Sequence, residues 1–130
     1  MLNFLRQHFH FNSKPETTVS FESTTDGLLC RDSENGVKQI RWDDLVRVTI
    51  ITTDQGPFQE DVFFWFETAD GGIVVPHEEE LRLKLVQLVE DKFGGMNFEE
   101  MINAMACTDN ARFVIWKANK ASSVGSLDII

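Results

Sequence analysis

The sequence predicts an α+β domain in which a six-strand antiparallel meander is followed by a helix, a second helix and a final strand. Three Asx-Gly pairs, Asp26-Gly27, Asn35-Gly36 and Asp70-Gly71, separate short strand-like runs. Such pairs supply the positive φ angles that tight hairpin turns need. After residue 76, the apolar residues change from alternation to helical spacing. Strands that precede helices along the chain are typical of the α+β class.

The six strands are expected over residues 17–22, 28–31, 37–42, 46–53, 61–68 and 72–76. Alternation in the third strand places Ile40 and Trp42 on one face. In the fourth strand it places Val46, Val48 and Ile50 toward the core. These strands are expected to form a curled sheet or a partly open barrel.

The fifth strand is unusual because the run from Val62 to Phe66 is apolar on both faces. One face, with Val62, Phe64 and Phe66, is expected in the core. The other face carries Phe63 and Trp65. It is either covered as part of a central strand or exposed as an apolar patch for dimerisation or another partner.

Residues 78–92 predict one helix that caps the sheet and ends at Gly94-Gly95. Its apolar positions at helical spacing are Leu81, Leu85, Leu88 and Val89. Asn97 and Glu100 then predict the start of a second helix. One apolar stripe of that helix consists of Phe98, Met101, Ile102 and Met105. The final strand is expected over residues 112–117.

This order of elements resembles pleckstrin-homology-like domains, in which a strand meander is closed by a helix. The extra helix and strand after Gly95 depart from that pattern. We expect a mobile N-terminal segment over residues 1–16, a single domain over 17–117 and a C-terminal tail over 118–130.

Several segments also resemble a family of small bacterial proteins. They are Trp42 to Val48 (WDDLVRV), Thr52 to Phe58 (TTDQGPF), Glu60 to Phe63 (EDVF) and Asn110 to Phe113 (NARF). The resemblance runs from about Val19 to Trp116. It implies a stand-alone bacterial domain and implies no particular activity or site.

The chain is strongly acidic, with 21 acidic and 12 basic residues and a formal net charge of −9. This balance disfavours binding to nucleic acids and to anionic membrane surfaces. The N-terminus lacks the continuous apolar run of a secretory signal, and no stretch is long enough to span a membrane. With only two cysteines, a cytoplasmic protein without a disulfide framework is expected.

The sequence predicts no catalytic, cofactor-binding or metal site. It contains no phosphate-binding loop, no calcium loop and no CxxC pair. A partner-binding surface is expected instead, formed by the acidic loop between the fourth and fifth strands and by the second face of the fifth strand. Its candidate residues are Asp54, Phe58, Glu60, Asp61, Phe63 and Trp65.

These observations favour a non-enzymatic interaction module that binds a protein partner or itself as a homodimer. The acidic charge supports an alternative, an inhibitor or immunity-type protein that neutralises a basic toxin or enzyme. An enzyme whose site carries no sequence motif is the third alternative. No cofactor is expected in any of the three.

Overall fold

A computed structural model of the chain describes residues 18–54 and 61–118. In these ranges the strands are β1 (Val19–Ser23), β2 (Gly27–Asp32), β3 (Gly36–Arg41), β4 (Arg47–Thr52), β5 (Val62–Glu67), β6 (Ile73–Pro76) and β7 (Ala111–Lys117). The helices are α1 (His77–Leu83), α2 (Leu85–Phe93) and α3 (Phe98–Met105). The α+β class is confirmed. The segment expected over 1–16 lies outside the described residues, and so does the tail expected over 118–130 except for Ala118.

The strands form two antiparallel sheets and not one six-strand meander. The first sheet has the order β1-β2-β3, and the second has the order β6-β5-β4-β7. A 3-10 turn at Trp42–Asp44 separates them. The side chains of Trp42 and Leu45 are fully buried there, so the chain turns into the core and the strand cannot continue. The sheets do not close into a barrel, and the single meander is not confirmed.

Two of the predicted turn glycines serve different physical needs. Gly36 has a φ of 90°, as the Asn35-Gly36 turn requires. Gly27 instead begins β2, and a Cβ atom there would lie 1.8 Å from the carbonyl oxygen of Ile40. This glycine is therefore needed because β3 approaches its backbone closely, and not because of a positive φ.

The main core lies between the two sheets and the helices. Val48, Ile50 and Ile40 are buried in it, as the alternation predicts. The expectation for Val46 is wrong, because this residue is 43% exposed. Val46 precedes β4, where its N–H donates to the Glu67 carbonyl and its carbonyl accepts from the Ala118 N–H. Backbone pairing on both sides fixes this residue without burying its side chain.

The expected helix over 78–92 is two helices, α1 and α2, because the chain breaks at Lys84. Lys84 has left-handed backbone angles, with φ 56° and ψ 45°. The Glu80 carboxylate accepts a hydrogen bond from the Val86 N–H at 3.0 Å and so caps the start of α2. The break changes which residues face the core, and Leu81 is left 59% exposed.

The region after α2 matches the sequence-based expectation closely. The Asn97 side chain accepts from the Glu100 N–H at 3.0 Å and caps α3. The Asn97 N–H donates to the Ile115 carbonyl at 2.7 Å, which holds the start of α3 against β7. β7 pairs with β4, so the last strand of the described residues lies beside an inner strand of the second sheet and forms an edge of that sheet.

Candidate interaction surface

The second face of β5 is an outer apolar cluster on the side of the sheet away from the main core. Phe63, Ile51 and Val74 form it, and Phe63 is only 2% exposed. Trp65 packs against them and is half-buried. Its indole N–H donates to the Gly71 carbonyl at 2.6 Å. Of the two expected partner-binding aromatics that the structure describes, Phe63 and Trp65, only Trp65 has substantial exposed surface.

The acidic loop begins and ends beside this face. Asp54 is exposed and Asp61 is partly buried. The Thr53 N–H donates to the Asp61 carbonyl at 2.9 Å, so the two ends of the loop are held together. Phe58 and Glu60 lie outside the described residues. On β7, near the same end of the sheet face as the loop, the guanidinium of Arg112 lies 5.8 Å from the centroid of the Trp65 ring.

A polar network continues this face toward the start of β4. Glu67 is buried, and both of its carboxylate oxygens accept from the Arg47 guanidinium, at 3.0 and 2.9 Å. The Thr49 hydroxyl donates to the same carboxylate at 2.6 Å. The bidentate bond to Glu67 raises the pKa of Arg47. No buried side-chain nitrogen or oxygen among the described residues lacks a hydrogen-bond partner, so this network stabilises the sheet.

A second surface lies on α3, where three large apolar side chains project into solvent. Phe98, Ile102 and Met105 are 46%, 69% and 39% exposed. Their spacing of four and then three residues places them on one side of the helix. We call these three residues the α3 stripe. They are part of the stripe that the sequence predicts, and their exposure is what the structure adds.

The α3 stripe is exposed because a different side of the helix packs on the sheet. Ala104 is fully buried in the main core, and Met101 packs against that core. The small Ala104 side chain lets α3 lie close to β7 and β4, the two strands that it contacts. The packed side therefore consists of Ala104 and Met101, and the other large apolar residues, Phe98, Ile102 and Met105, remain exposed.

The charges near the α3 stripe are all negative over a long stretch of chain. Between Lys92 and Arg112 the sequence has no lysine or arginine, while it contains Glu99, Glu100 and Asp109. Glu99 and Asp109 are exposed. The Glu100 carboxylate accepts from the Asn103 amide at 2.8 Å. The stripe thus lies in a segment of chain whose only charges are negative, and we call its two exposed acidic residues, Glu99 and Asp109, the acidic border.

Two further features concern the titratable groups elsewhere in the described residues. No group of three or more His, Cys, Asp or Glu side chains among them could hold a metal ion. Burial raises the pKa of the Cys30 thiol to about 11, which suppresses its nucleophilic thiolate form at neutral pH. In the same part of the chain, no helix is long and apolar enough to cross a membrane.

An open cleft of about 660 Å³ lies between β3 and the turn that joins β5 to β6. Ile40, Arg41, Asp44, Thr68 and Asp70 line it. A hydrogen bond from the Thr68 hydroxyl is the main cause that lowers the pKa of Asp70. A carboxylate held in its charged form and open to solvent is a poor general acid or base at neutral pH.

Comparison with known proteins adds no functional constraint, because no family model, curated protein or solved structure matches the chain. The resemblance of the segments around Trp42 and Phe58 to small bacterial proteins stays a prediction. The functional argument therefore depends on the surfaces described above.

The structure places the expected partner-binding residues in different environments. Phe63 lies in the outer apolar cluster, Trp65 lies at its exposed margin, and Asp54 and Asp61 mark the ends of the loop. The α3 stripe was not among the expected site residues. A sequence signal for it existed in the Phe98, Ile102 and Met105 spacing, but that spacing is equally typical of a buried helix face.

Proposed function

We propose that this protein is a non-enzymatic interaction module and that it contacts its partner through the α3 stripe. One observation carries the proposal, the exposure of Phe98, Ile102 and Met105 together on one side of a short helix. Single exposed apolar residues are ordinary on protein surfaces, whereas several large ones side by side mark interaction sites. Burial of such a stripe by a partner is favourable because it removes apolar area from water.

The outer sheet face supplies a weaker candidate for the same role. Trp65 and Val114 are partly exposed there, and Arg112 lies against the Trp65 ring. The partner-binding role expected for Asp54, Phe58, Glu60, Asp61, Phe63 and Trp65 remains part of the proposal as a secondary contact region. Its main apolar residue, Phe63, has almost no exposed surface to offer.

The likeness to pleckstrin-homology-like domains is also a proposal, supported by two antiparallel sheets followed by helices. A bacterial cytoplasmic origin of the protein is proposed as well. Two observations support it: the segment around Trp42 resembles small bacterial proteins, and Cys30 and Cys107 are free cysteines.

The test is capture of host proteins on the immobilised chain, followed by affinity measurement with each captured protein in purified form. Two variants are compared with the wild type. Ile102→Asn removes the most exposed member of the α3 stripe, and Leu81→Asn is its control, because Leu81 is similarly exposed on α1. Sedimentation of the pure chain shows whether the partner is a second copy.

We expect Ile102→Asn to raise the dissociation constant by about tenfold or more, since burial of one such side chain contributes about 1.5–3 kcal/mol. Leu81→Asn should leave it within about twofold. The proposal is wrong if both variants bind every purified partner as tightly as the wild type. It is also wrong if no captured protein binds directly and the pure chain is monomeric.

A further inference from the structure

We infer that the partner of the α3 stripe is a basic polypeptide, one that presents apolar side chains among lysines or arginines. This inference rests on the proposed function, because it concerns the occupant of the same surface. Two features carry it, the apolar character of the stripe and the sign of the charges around it.

The first step is the charge of the border. From residue 93 to residue 111 the chain has three acidic residues and no lysine or arginine. Glu99 lies one residue after Phe98 and is exposed beside the stripe. Acidic residues in the first turn of a helix also favour the helix itself, but that role does not explain why Phe98, Ile102 and Met105 are exposed. A partner that presents both apolar and basic side chains would cover the stripe and neutralise the acidic border.

The second step is the position of the nearest basic residues on β7. Arg112 pairs with Ile51 of the outer apolar cluster, and Lys117 pairs with Arg47. Paired residues on neighbouring strands lie on the same face of a sheet, so both bases lie on the outer face. α3 packs on the opposite, core-facing side through Ala104. Arg112 and Lys117 therefore lie on the face of the sheet opposite to the one on which α3 packs.

The third step concerns the simplest alternative occupant, a second copy of the chain, which the charge disfavours. Each copy carries a formal net charge of −9. Two copies that met through this stripe would bring acidic borders together, which is repulsive at close range. A basic protein would be attracted to the same border, and its association would be faster at low ionic strength. The charge therefore favours a partner of opposite sign.

The experiment uses a defined probe, a labelled synthetic helical peptide of leucine and lysine, titrated with the full chain and followed by fluorescence anisotropy. A peptide with glutamate in place of each lysine is the matched control. Four proteins are compared with the wild type: Ile102→Asn, Leu81→Asn, Glu99→Lys and Glu78→Lys. Glu78 and Glu99 are each the second residue of a helix, so the last two variants make the same charge change in equivalent places.

We expect the lysine peptide to bind the wild type and the glutamate peptide to bind at least tenfold more weakly. Ile102→Asn should weaken lysine-peptide binding about tenfold. Glu99→Lys should weaken it roughly fivefold and reduce its dependence on salt, because it reverses one charge at the border. Glu78→Lys and Leu81→Asn should have much smaller effects.

Three results would overturn the inference. The lysine peptide could bind Ile102→Asn as tightly as the wild type, which would indicate that it binds by non-specific charge attraction. The glutamate peptide could bind as well as the lysine peptide. The pure chain could dimerise through the stripe, with Ile102→Asn dissociating the dimer. This last result is compatible with the proposed interaction module. If Ile102→Asn changes the affinity for no partner, both the interaction module and the basic partner are contradicted.

Discussion

At the scale of single residues, Glu80 shows how one side chain can hold an irregular backbone in place. It is the third of three consecutive glutamates. From the sequence alone, these residues indicate only that negative charge lies at a helix N-terminus, where it is favourable. In the structure its carboxylate is buried and accepts the Val86 N–H, which lacks a partner within α2. Burial raises the pKa of Glu80, and this outweighs the opposing effects of the Val86 hydrogen bond and of His77.

The raised pKa of Glu80 predicts how the stability of the folded chain depends on pH. The folded chain holds the Glu80 proton more tightly than the unfolded chain, so this group opposes folding increasingly as the pH rises from about 4.3, the value for unfolded glutamate. The effect ends once the pH has passed the raised folded pKa. Glu80→Gln is always neutral and can still accept from Val86. We therefore expect this variant to gain stability relative to the wild type as the pH rises through that range.

Urea unfolding of both proteins at several pH values between 4.5 and 7.5 measures this difference. Glu80→Ala is the control, because it removes both the charge and the hydrogen bond to Val86. It should lose about 1 kcal/mol relative to Glu80→Gln at every pH, as is typical when a helix cap is removed. Parallel stability curves for the wild type and Glu80→Gln would show that the Glu80 charge does not oppose folding.

At the scale of elements, the break between α1 and α2 determines how the helices meet the sheets. It allows α1 to reach β1, where the Arg82 guanidinium donates to the Phe21 carbonyl at 2.9 Å. It also lets Leu85, Val86 and Val89 of α2 point into the main core. A straight helix over 78–92 would not satisfy both contacts, because its residues would keep one fixed periodicity.

The break requires a left-handed backbone at Lys84, and lysine is a poor residue for that conformation. Lys84 is the only described residue other than glycine with a positive φ. The left-handed region costs an L-residue roughly 1 kcal/mol, and glycine avoids most of this. We therefore expect Lys84→Gly to raise the free energy of unfolding by about 0.5–1 kcal/mol, measured by chemical denaturation.

Lys84→Ala is the matched control, since it removes the same side chain and keeps the strain of a Cβ atom. If the positive φ is the cause, Lys84→Gly should be clearly more stable than Lys84→Ala. In a regular helix the order reverses, because glycine is less favourable than alanine there by about 1 kcal/mol. Greater stability of the alanine variant would thus mean that the chain is helical through residue 84.

At the scale of the whole molecule, the local elements were predictable and their assembly was not. Alternation and the Asx-Gly pairs predict six strands that agree with β1 to β6 within a few residues. The pairing of β7 with β4 joins residues that are far apart in the chain, and no local pattern indicates it. The two-sheet division depends on the burial of Trp42 and Leu45, which is a property of tertiary packing.

The same limit applies to the candidate surface. The spacing of Phe98, Ile102 and Met105 predicts an apolar helix side, and such a side usually faces the core. In this protein the core accepts Ala104 instead, because α3 lies close to the sheet. Which side of a helix is covered depends on the elements that surround it. The exposure of the stripe, and with it the site, therefore could not be predicted from the sequence.

The central claim, that α3 presents the interaction surface of the molecule, can be tested through its methionines. The chain has four, and two of them are well-placed reporters. Met105 belongs to the exposed α3 stripe, whereas Met96 is buried in the main core. Methyl-labelled methionines give separate NMR signals, which Met→Leu substitutions assign.

The decisive measurement is a titration of the methionine-labelled chain with its purified partner. Our account predicts that the Met105 methyl signal shifts or broadens in proportion to complex formation, while the Met96 signal stays in place. Formation of the complex without a change at Met105 would contradict the account, because the partner would then bind at a different surface.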